Sequence, residues 1–160
     1  MVKNLKPGDQ APQFSLMNHQ GQTVSLHDFT GQWVVLYFYP KDNTPGCTRE
    51  AIGFTQELRE FEKRSAVILG CSPDSPESHC GFIEKQSLKI TLLSDPNHDV
   101  LKRYGAWGQK QNYGREYEGV IRSTFLIDPK GKLAALWSSV KVDGHVEAVL
   151  GTLNELAAKD

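Results

Sequence analysis

The chain has 160 residues, and its 18 basic and 19 acidic side chains give a formal net charge of −1. This length suits one domain, residues 1–160, with a core that needs neither a disulfide nor a metal for stability. The charge balance gives no reason to expect nucleic acid or an anionic membrane as a partner, and without a signal peptide or a membrane-length apolar run we expect a soluble cytoplasmic protein.

The first predicted elements are a hairpin and a buried strand. Two short alternating segments, residues 14–16 and 23–26, flank the turn at 18–21, which is typical of a β-hairpin. The run Trp33–Phe38 is apolar and rich in β-branched and aromatic residues. It predicts a strand buried on both faces, which Pro40 ends.

A helix is predicted after a short polar loop. Thr44 is expected to be its N-cap, and Pro45 its first helical residue. Cys47 then falls in the first turn, where unpaired backbone N–H groups and the helix dipole favour a thiolate. Small and apolar residues continue on the face of Cys47, at Ala51, Phe54, Leu58 and Phe61, and the charged segment 57–64 ends the helix.

The next elements complete a strand–helix–strand unit and extend it. Residues 65–71 predict a second buried strand, parallel to the first. Ser75 and Pro76 predict the cap and first residue of a helix that runs to about residue 86. A short strand at 89–93 and a short helix at 97–104 follow.

The C-terminal part is predicted as a loop, a hairpin and a helix. Residues 105–119 have no clear period, and their glycines and aromatic residues (Trp107, Tyr113 and Tyr117) predict a long loop held down by the rings. Segments 120–127 and 133–137 flank a turn at 128–131, an antiparallel hairpin pattern. The last helix, at 144–158, turns Val146, Val149, Leu150, Leu153 and Leu156 inward.

The assembled order predicts an α/β protein with a thioredoxin-like fold. We expect a central mixed sheet flanked by helices, with an extra N-terminal β-hairpin. Ligands of open α/β sheets gather where the carboxyl end of a strand meets the next helix, and Cys47 lies at such a place.

The residues around Cys47 narrow its chemistry. Proteins of this fold that exchange disulfides normally use Cys-x-x-Cys, but Cys47 is followed by Thr48, Arg49 and Glu50. The pattern Pro40-x-x-x-Thr44-x-x-Cys47 instead resembles the peroxiredoxin active-site motif. The segment 38–48 is similar to the branch called bacterioferritin comigratory protein, or peroxiredoxin Q. Further matching segments are Pro12-x-Phe14, Ser72-Pro73-Asp74, Leu92-Leu93-Ser94-Asp95, Gly105-Ala106-Trp107-Gly108 and Arg122-Ser123-Thr124-Phe125-Leu126-Ile127-Asp128.

The resemblance implies a thiol-dependent peroxidase for hydrogen peroxide and organic hydroperoxides. Cys47 would be the peroxidatic cysteine, whose thiolate becomes a sulfenic acid. Thr44 would place its hydroxyl beside the bound peroxide, backbone N–H groups would stabilise the leaving oxygen, and Pro40 would keep bulk water out. Arg122 would hold the thiolate and the peroxide oxygens.

Arg122 also stands out without the resemblance. It lies next to a predicted buried strand, and a buried guanidinium needs an anion. A thiolate at a helix N-terminus is a suitable partner. Cys71, at the end of a buried strand, is instead predicted to be a structural thiol.

The resemblance leaves the second cysteine open. One version of the family carries it five residues after the first, where this chain has Ile52, and another carries it on the following helix. Cys80 lies on that predicted helix, one turn before Ile83, where the pattern places it. The implied cycle is a Cys47–Cys80 disulfide reduced by a thioredoxin-type dithiol, in a monomer without cofactor or metal.

Three alternatives stay open. The first is a one-cysteine peroxidase whose Cys47 is resolved by an external thiol, and the second is a peroxide sensor on the same fold. The third is a cysteine hydrolase with a Cys–His pair, although no histidine is placed by sequence beside Cys47. A metal site at His79 and Cys80 is not expected, because adjacent helical side chains diverge.

Overall fold

The centre of the molecule is a mixed sheet of seven strands. A computed structural model describes residues 5–112 and 114–158, with nothing stated of the side chains at 111 and 112. The strands are β1 (Ser15–Asn18), β2 (Thr23–Ser25), β3 (Trp33–Phe38), β4 (Ala66–Ser72), β5 (Thr91–Ser94), β6 (Trp107–Asn112), β7 (Arg115–Val120), β8 (Ser123–Ile127) and β9 (Leu133–Trp137). The main sheet has the order β2-β1-β5-β4-β3-β8-β9, and β6 and β7 form a separate pair.

Helices cover the main sheet. They are α1 (Pro45–Gln56), α2 (Leu58–Glu62), α3 (Pro76–Gln86), α4 (Asp99–Arg103) and α5 (His145–Ala157), with a 3-10 turn at Leu26–Phe29. Strands β3, β4 and β5 are parallel, whereas β1–β2, β3–β8 and β8–β9 are antiparallel. This confirms the predicted thioredoxin-like fold with its N-terminal hairpin. None of the helices in the described ranges has the length and apolar character needed to cross a membrane.

Strand β3 is buried on both faces of the main sheet. All six of its residues are buried, as the apolar run predicts. One face of β3 packs in the cluster that contains Cys47 and Phe54, and the other face packs in a second cluster around Leu69 and Phe125. Burying each large apolar side chain stabilises the fold by about 2 kcal/mol. The carboxyl end of β3 is therefore a rigid base for the loop that leads to Cys47.

The single helix predicted to begin at Pro45 is divided into two helices, α1 and α2. Glu57, with φ −98° and ψ 6°, separates α1 from α2. Its amide N–H still donates to Gly53 O, so the chain bends without losing this bond. The bend keeps Phe54 and Phe61 in one buried cluster, with ring centroids 5.9 Å apart. The apolar spacing therefore predicted the buried face correctly but not the interruption.

The prediction of a long loop at 105–119 is wrong. Strands β6 and β7 pair in antiparallel register from Trp107 opposite Val120 to Asn112 opposite Arg115. The residues of β7 from Arg115 to Glu118 are exposed, so the strand has no buried face to produce an alternating pattern. Tyr113, predicted to pack this segment, lies outside the described residues. Val120 belongs to β7, so the strand predicted at 120–127 is also divided.

Smaller boundary differences affect the middle of the chain. Strand β5 begins at Thr91, two residues later than the pattern at 89–93 indicates. Helix α4 covers only Asp99–Arg103 and is therefore shorter than the pattern at 97–104 indicates. The start of α3 agrees with the prediction. Ser75 caps it by accepting a hydrogen bond from Ser78 N at 3.1 Å, and Pro76 is the first helical residue.

Candidate active site

Cys47 lies in the first turn of α1, directly beyond the carboxyl end of β3. Pro45 opens the helix after Thr44, which has the extended backbone of an N-cap residue (φ −87°, ψ 153°). The Cys47 side chain is only 1% exposed and belongs to the core cluster beneath α1. The sequence pattern thus located the thiol at the right point of the fold.

Arg122 reaches this thiol from a distant part of the chain. Its Nη2 donates to Cys47 Sγ at 3.3 Å, and its Nη1 donates to Glu50 Oε1 at 2.5 Å. Burial disfavours its charge, but Glu50 and the Cys47 thiolate outweigh this and raise the pKa of Arg122. The guanidinium therefore stays charged and bridges two groups on the same face of α1.

Gly46 provides the space for the guanidinium. A Cβ atom at this position would lie 3.3 Å from Arg122 Nη2 and 3.9 Å from a methyl carbon of Val142. Any larger residue between Pro45 and Cys47 would crowd the approach of Arg122. The small residue is needed for the contact that Arg122 makes with sulfur.

Thr44 is the N-cap residue of α1, as predicted, although its side chain does not cap the helix. Its hydroxyl donates to Lys41 O at 2.8 Å and makes no capping bond. Pro45 has no amide hydrogen, and Thr48 N already donates to Thr44 O at 2.9 Å. Within the described residues, the amide N–H groups of Gly46 and Cys47 are the free donors at this helix start.

Glu50 is a site residue that the sequence interpretation missed. It is fully buried, and its Oε2 has no hydrogen-bond partner in the described ranges. Burial raises the pKa of Glu50 to about 7, against the opposing attraction of Arg122. The available signal was its position three residues after Cys47, which puts a carboxylate on the buried face of α1, where an unpaired charge is costly.

Because the pKa of Glu50 is raised in the folded state, we expect the free energy of unfolding to depend on pH. With an ordinary value of 4.5 and a folded pKa of about 7, Glu50 binds its proton more tightly in the folded state. Its favourable contribution is complete below pH 4.5 and is lost as the pH rises through 7, a change of about 3 kcal/mol. In urea unfolding from pH 4.5 to 8, we expect Glu50→Gln to gain about this much stability relative to the wild type.

The matched control for this measurement is Glu62→Gln. Glu62 lies exposed on α2, so its replacement should leave the pH dependence of the free energy of unfolding parallel to that of the wild type. If the Glu50→Gln curve also runs parallel to the wild-type curve, Glu50 does not carry the shifted pKa.

An open cavity of about 440 Å³ lies at Arg122. Its lining comes from the loop after β3, from the β6–β7 hairpin and its link to β8, and from the segment after β9: Pro40, Gln109, Lys110, Ile121, Arg122, Ser139 and Val140. A cavity of this size is in the range that accepts organic ligands. Pro40 therefore lines the same cavity as Arg122.

A second buried polar cluster joins the loop after Pro40 to α3. Asp42 lies in this loop, and its Oδ2 is 2.8 Å from His79 Nδ1 on α3. The ligand atoms of Asp42, Asp74 and His79 lie within 4.8 Å of one another, a spacing that could hold a metal ion. However, Asp42 and Asp74 are already joined by a hydrogen bond from Asp42 N to Asp74 Oδ2 at 2.7 Å. The cluster is thus satisfied by its own hydrogen bonds.

The other two cysteines differ sharply in environment. Cys80 is exposed on α3, and its thiol donates to His19 O in the β1–β2 turn at 2.8 Å. The buried face of the same helix carries His79 and Phe82. Cys71 is buried in β4, and burial raises the pKa of its thiol well above the ordinary value. All three cysteines are free thiols in this structure.

The chain matches known proteins over most of its length. Residues 7–136 match the model of the AhpC/TSA family. Peroxiredoxin Bcp of Bacillus subtilis is 47% identical over 152 residues, which cover 95% of this chain and 97% of that protein.

Solved structures of similar proteins also resemble this chain over most of its length. Peroxiredoxin Q of Xanthomonas campestris superimposes with a TM-score of 0.86 at 42% identity, covering 90% of this chain and 91% of that chain. The bacterioferritin comigratory protein of the same organism, studied for its alkyl peroxide reduction activity in trapped intermediate and ligand complexes, has a TM-score of 0.86 at 41% identity, covering 90% and 92%. The predicted resemblance is confirmed: the chain belongs to the AhpC/TSA family and is a peroxiredoxin, a thiol-dependent peroxidase, similar to Bcp and peroxiredoxin Q.

Proposed function

We propose that Cys47 is the peroxidatic cysteine, and that Arg122, Thr44 and Pro40 complete its site. The observation that carries this assignment is the 3.3 Å hydrogen bond from Arg122 Nη2 to Cys47 Sγ at the start of α1. A guanidinium and a helix N-terminus together favour the thiolate, which is the reactive form of a cysteine. Hydrogen peroxide and organic hydroperoxides are the proposed substrates.

The first step transfers one oxygen atom to sulfur. The Cys47 thiolate attacks the nearer peroxide oxygen, so an S–O bond forms and the O–O bond breaks. The leaving oxygen takes a proton and departs as water or an alcohol. Arg122 and the free N–H groups of Gly46 and Cys47 stabilise the charge that develops on it. Thr44 would orient the peroxide with its hydroxyl, which now points to Lys41 O.

Cys80 is proposed to resolve the sulfenic acid. Its thiol would attack the oxidised sulfur of Cys47, forming a disulfide and releasing water. In the present structure Cys80 faces His19, so this step requires α3 and the first turn of α1 to unwind until the two Cα atoms approach to about 5.5 Å. A thioredoxin-type dithiol would then reduce the disulfide by thiol–disulfide exchange.

We infer a cytoplasmic monomer. Met17 and Tyr117 are the exposed large hydrophobic side chains of the described ranges, at 46% and 44% exposure. Met17 and Tyr117 belong to strands of different sheets, β1 and β7, so the two do not form one contiguous apolar patch of the size that protein interfaces use.

Replacing Cys80 with serine tests the resolving role. After one equivalent of hydrogen peroxide, we expect intact mass spectrometry to find a Cys47–Cys80 disulfide in the wild type and a Cys47 sulfenic acid in Cys80→Ser. The variant should still consume the first equivalent but lose turnover with thioredoxin and its reductase, because no disulfide forms for them to reduce.

The matched control is Cys71→Ala, which removes a buried thiol and should leave the disulfide and the turnover in place. Full thioredoxin-dependent turnover by Cys80→Ser would refute the two-cysteine cycle and favour the one-cysteine alternative. A slow, stoichiometric reaction of the wild type without turnover would favour the sensor.

A further inference from the structure

Asp42 is the centre of a buried hydrogen-bond network beside the active site. The residue is 4% exposed, and its Oδ1 accepts from Tyr39 OH at 2.6 Å. Its Oδ2 accepts from Ser78 Oγ at 2.8 Å and lies 2.8 Å from His79 Nδ1. Burial keeps the pKa of Tyr39 well above its ordinary value, so its phenol remains a donor. Three side chains therefore meet at one buried carboxyl group.

His79 is the buried partner of this carboxyl group on α3. Its side chain is fully buried, and its Nε2 lies 2.9 Å from Leu93 O. With Nδ1 against Asp42 and Nε2 against Leu93 O, both ring nitrogens lie within hydrogen-bond distance of an oxygen atom. Removing either the Asp42 or the His79 side chain therefore breaks a buried contact between the loop and α3.

The same network fixes the backbone of the active-site loop. Asp42 N donates to Asp74 Oδ2 at 2.7 Å, and Asp74 is held in turn by Ser72 Oγ at 2.8 Å. Asp42 lies between Pro40, which lines the cavity at Arg122, and Thr44, which precedes α1. The placement of both residues therefore depends on contacts with the segment that begins α3.

On the other side, the network holds the helix that carries Cys80. Ser78 and His79 belong to the first turn of α3 and immediately precede Cys80. Cys80 cannot move far while the neighbouring His79 ring is bonded at both nitrogens. The Asp42–His79 contact thus joins the loop needed for peroxide attack to the helix that must be released for resolution.

We propose that Asp42 and His79 are positioning residues with two effects. They hold the active-site loop closed over Cys47, and at the same time they keep α3 folded. Breaking the contact between Asp42 and His79 is the event that exchanges the form competent for attack for the form competent for disulfide formation. The second half of this inference rests on the proposed resolving role of Cys80.

The experiment uses Asp42→Asn and His79→Gln, which keep side-chain size close to that of the wild type but disrupt the contact between Asp42 Oδ2 and His79 Nδ1. Single-turnover oxidation of Cys47 by hydrogen peroxide should slow about tenfold in each, because the loop loses its fixed geometry. Formation of the Cys47–Cys80 disulfide should accelerate about tenfold, because the form in which α3 and the first turn of α1 are unwound gains population. Conversion of Cys47 to the sulfinic acid at excess peroxide should fall correspondingly.

Two further variants separate positioning from general loss of stability. Val100→Ala truncates a buried residue of the cluster on the other sheet face, and should leave both rates within about twofold of the wild type. Ser78→Ala removes one of the three side-chain partners of Asp42 and should shift both rates in the same directions as His79→Gln, by a smaller factor. It provides the test if the two central variants do not fold.

The outcomes are distinct. Unchanged rates in Asp42→Asn, His79→Gln and Ser78→Ala, or equal changes in Val100→Ala, would overturn the positioning role. Slower attack in the variants, with no disulfide in any protein including the wild type, would support the hold on the loop and refute the resolving role of Cys80. Slower attack with faster disulfide formation supports the whole proposal.

Discussion

Replacing Cys47 with serine is expected to reduce hydroperoxide consumption to the uncatalysed background, a loss on the order of 10⁴-fold or more in kcat/KM. A serine hydroxyl is not ionised at neutral pH and is not oxidised by a peroxide. The contacts of Arg122 and the helix N–H groups would then have no sulfur to act on. The measurement is peroxide consumption with thioredoxin, its reductase and NADPH.

Cys71→Ser is the control for this substitution, because Cys71 is buried in β4 and packs in the second cluster, around Leu69 and Phe125, rather than in the cluster of Cys47. Thermal unfolding of both serine variants shows whether each is folded when it is assayed. Undiminished turnover by Cys47→Ser would disprove the assignment of the peroxidatic cysteine.

Substitution of Arg122 is expected to have the second-largest effect. Arg122→Gln removes the charge that faces both sulfur and the leaving oxygen, and should lower kcat/KM for hydrogen peroxide by about 10²–10³-fold. Arg122→Lys should lower it by about tenfold, because a lysine is a single point charge and cannot bridge Cys47 and Glu50 as the guanidinium does. Competition for hydrogen peroxide with a reference peroxidase measures these constants.

Arg49→Gln is the matched control. Arg49 lies on the same helix as Cys47, but its side chain is 59% exposed and pairs with Asp143 on the surface. Exposed pairs contribute little, so this variant should keep kcat/KM within about twofold of the wild type. If Arg122→Gln behaves like Arg49→Gln, the guanidinium has no part in peroxide reduction.

The parts of the site that were predictable are local in sequence. The apolar run of β3, the stop at Pro40 and the Thr44-Pro45 helix start place Cys47 by short-range rules of strands and caps. The hydroxyl of Thr44 was not predictable in the same way, because a cap residue can turn its side chain to a loop carbonyl instead. Arg122, 75 positions away from Cys47 in the chain, was indicated by its place next to a predicted buried strand and assigned to the thiol by the resemblance.

The missed parts depend on distant pairing. Glu50 had a sequence signal, a carboxylate on a buried helix face, but its partner could be named only once Arg122 was in place. The Asp42–His79 pair spans 37 positions and follows no period of either element. The β6–β7 hairpin was missed because its exposed polar strands lack the alternation that burial imposes on one face of a sheet.

The position of Arg122 between two sheets has a mechanical consequence. Residues 121 and 122 are the link between β7 of the small sheet and β8 of the large one, and Ile121 and Arg122 both line the cavity. The large sheet anchors one end of this link, while the hairpin sets the direction from which the link arrives. An apolar side chain and the guanidinium are therefore held side by side at one cavity by two separate sheets.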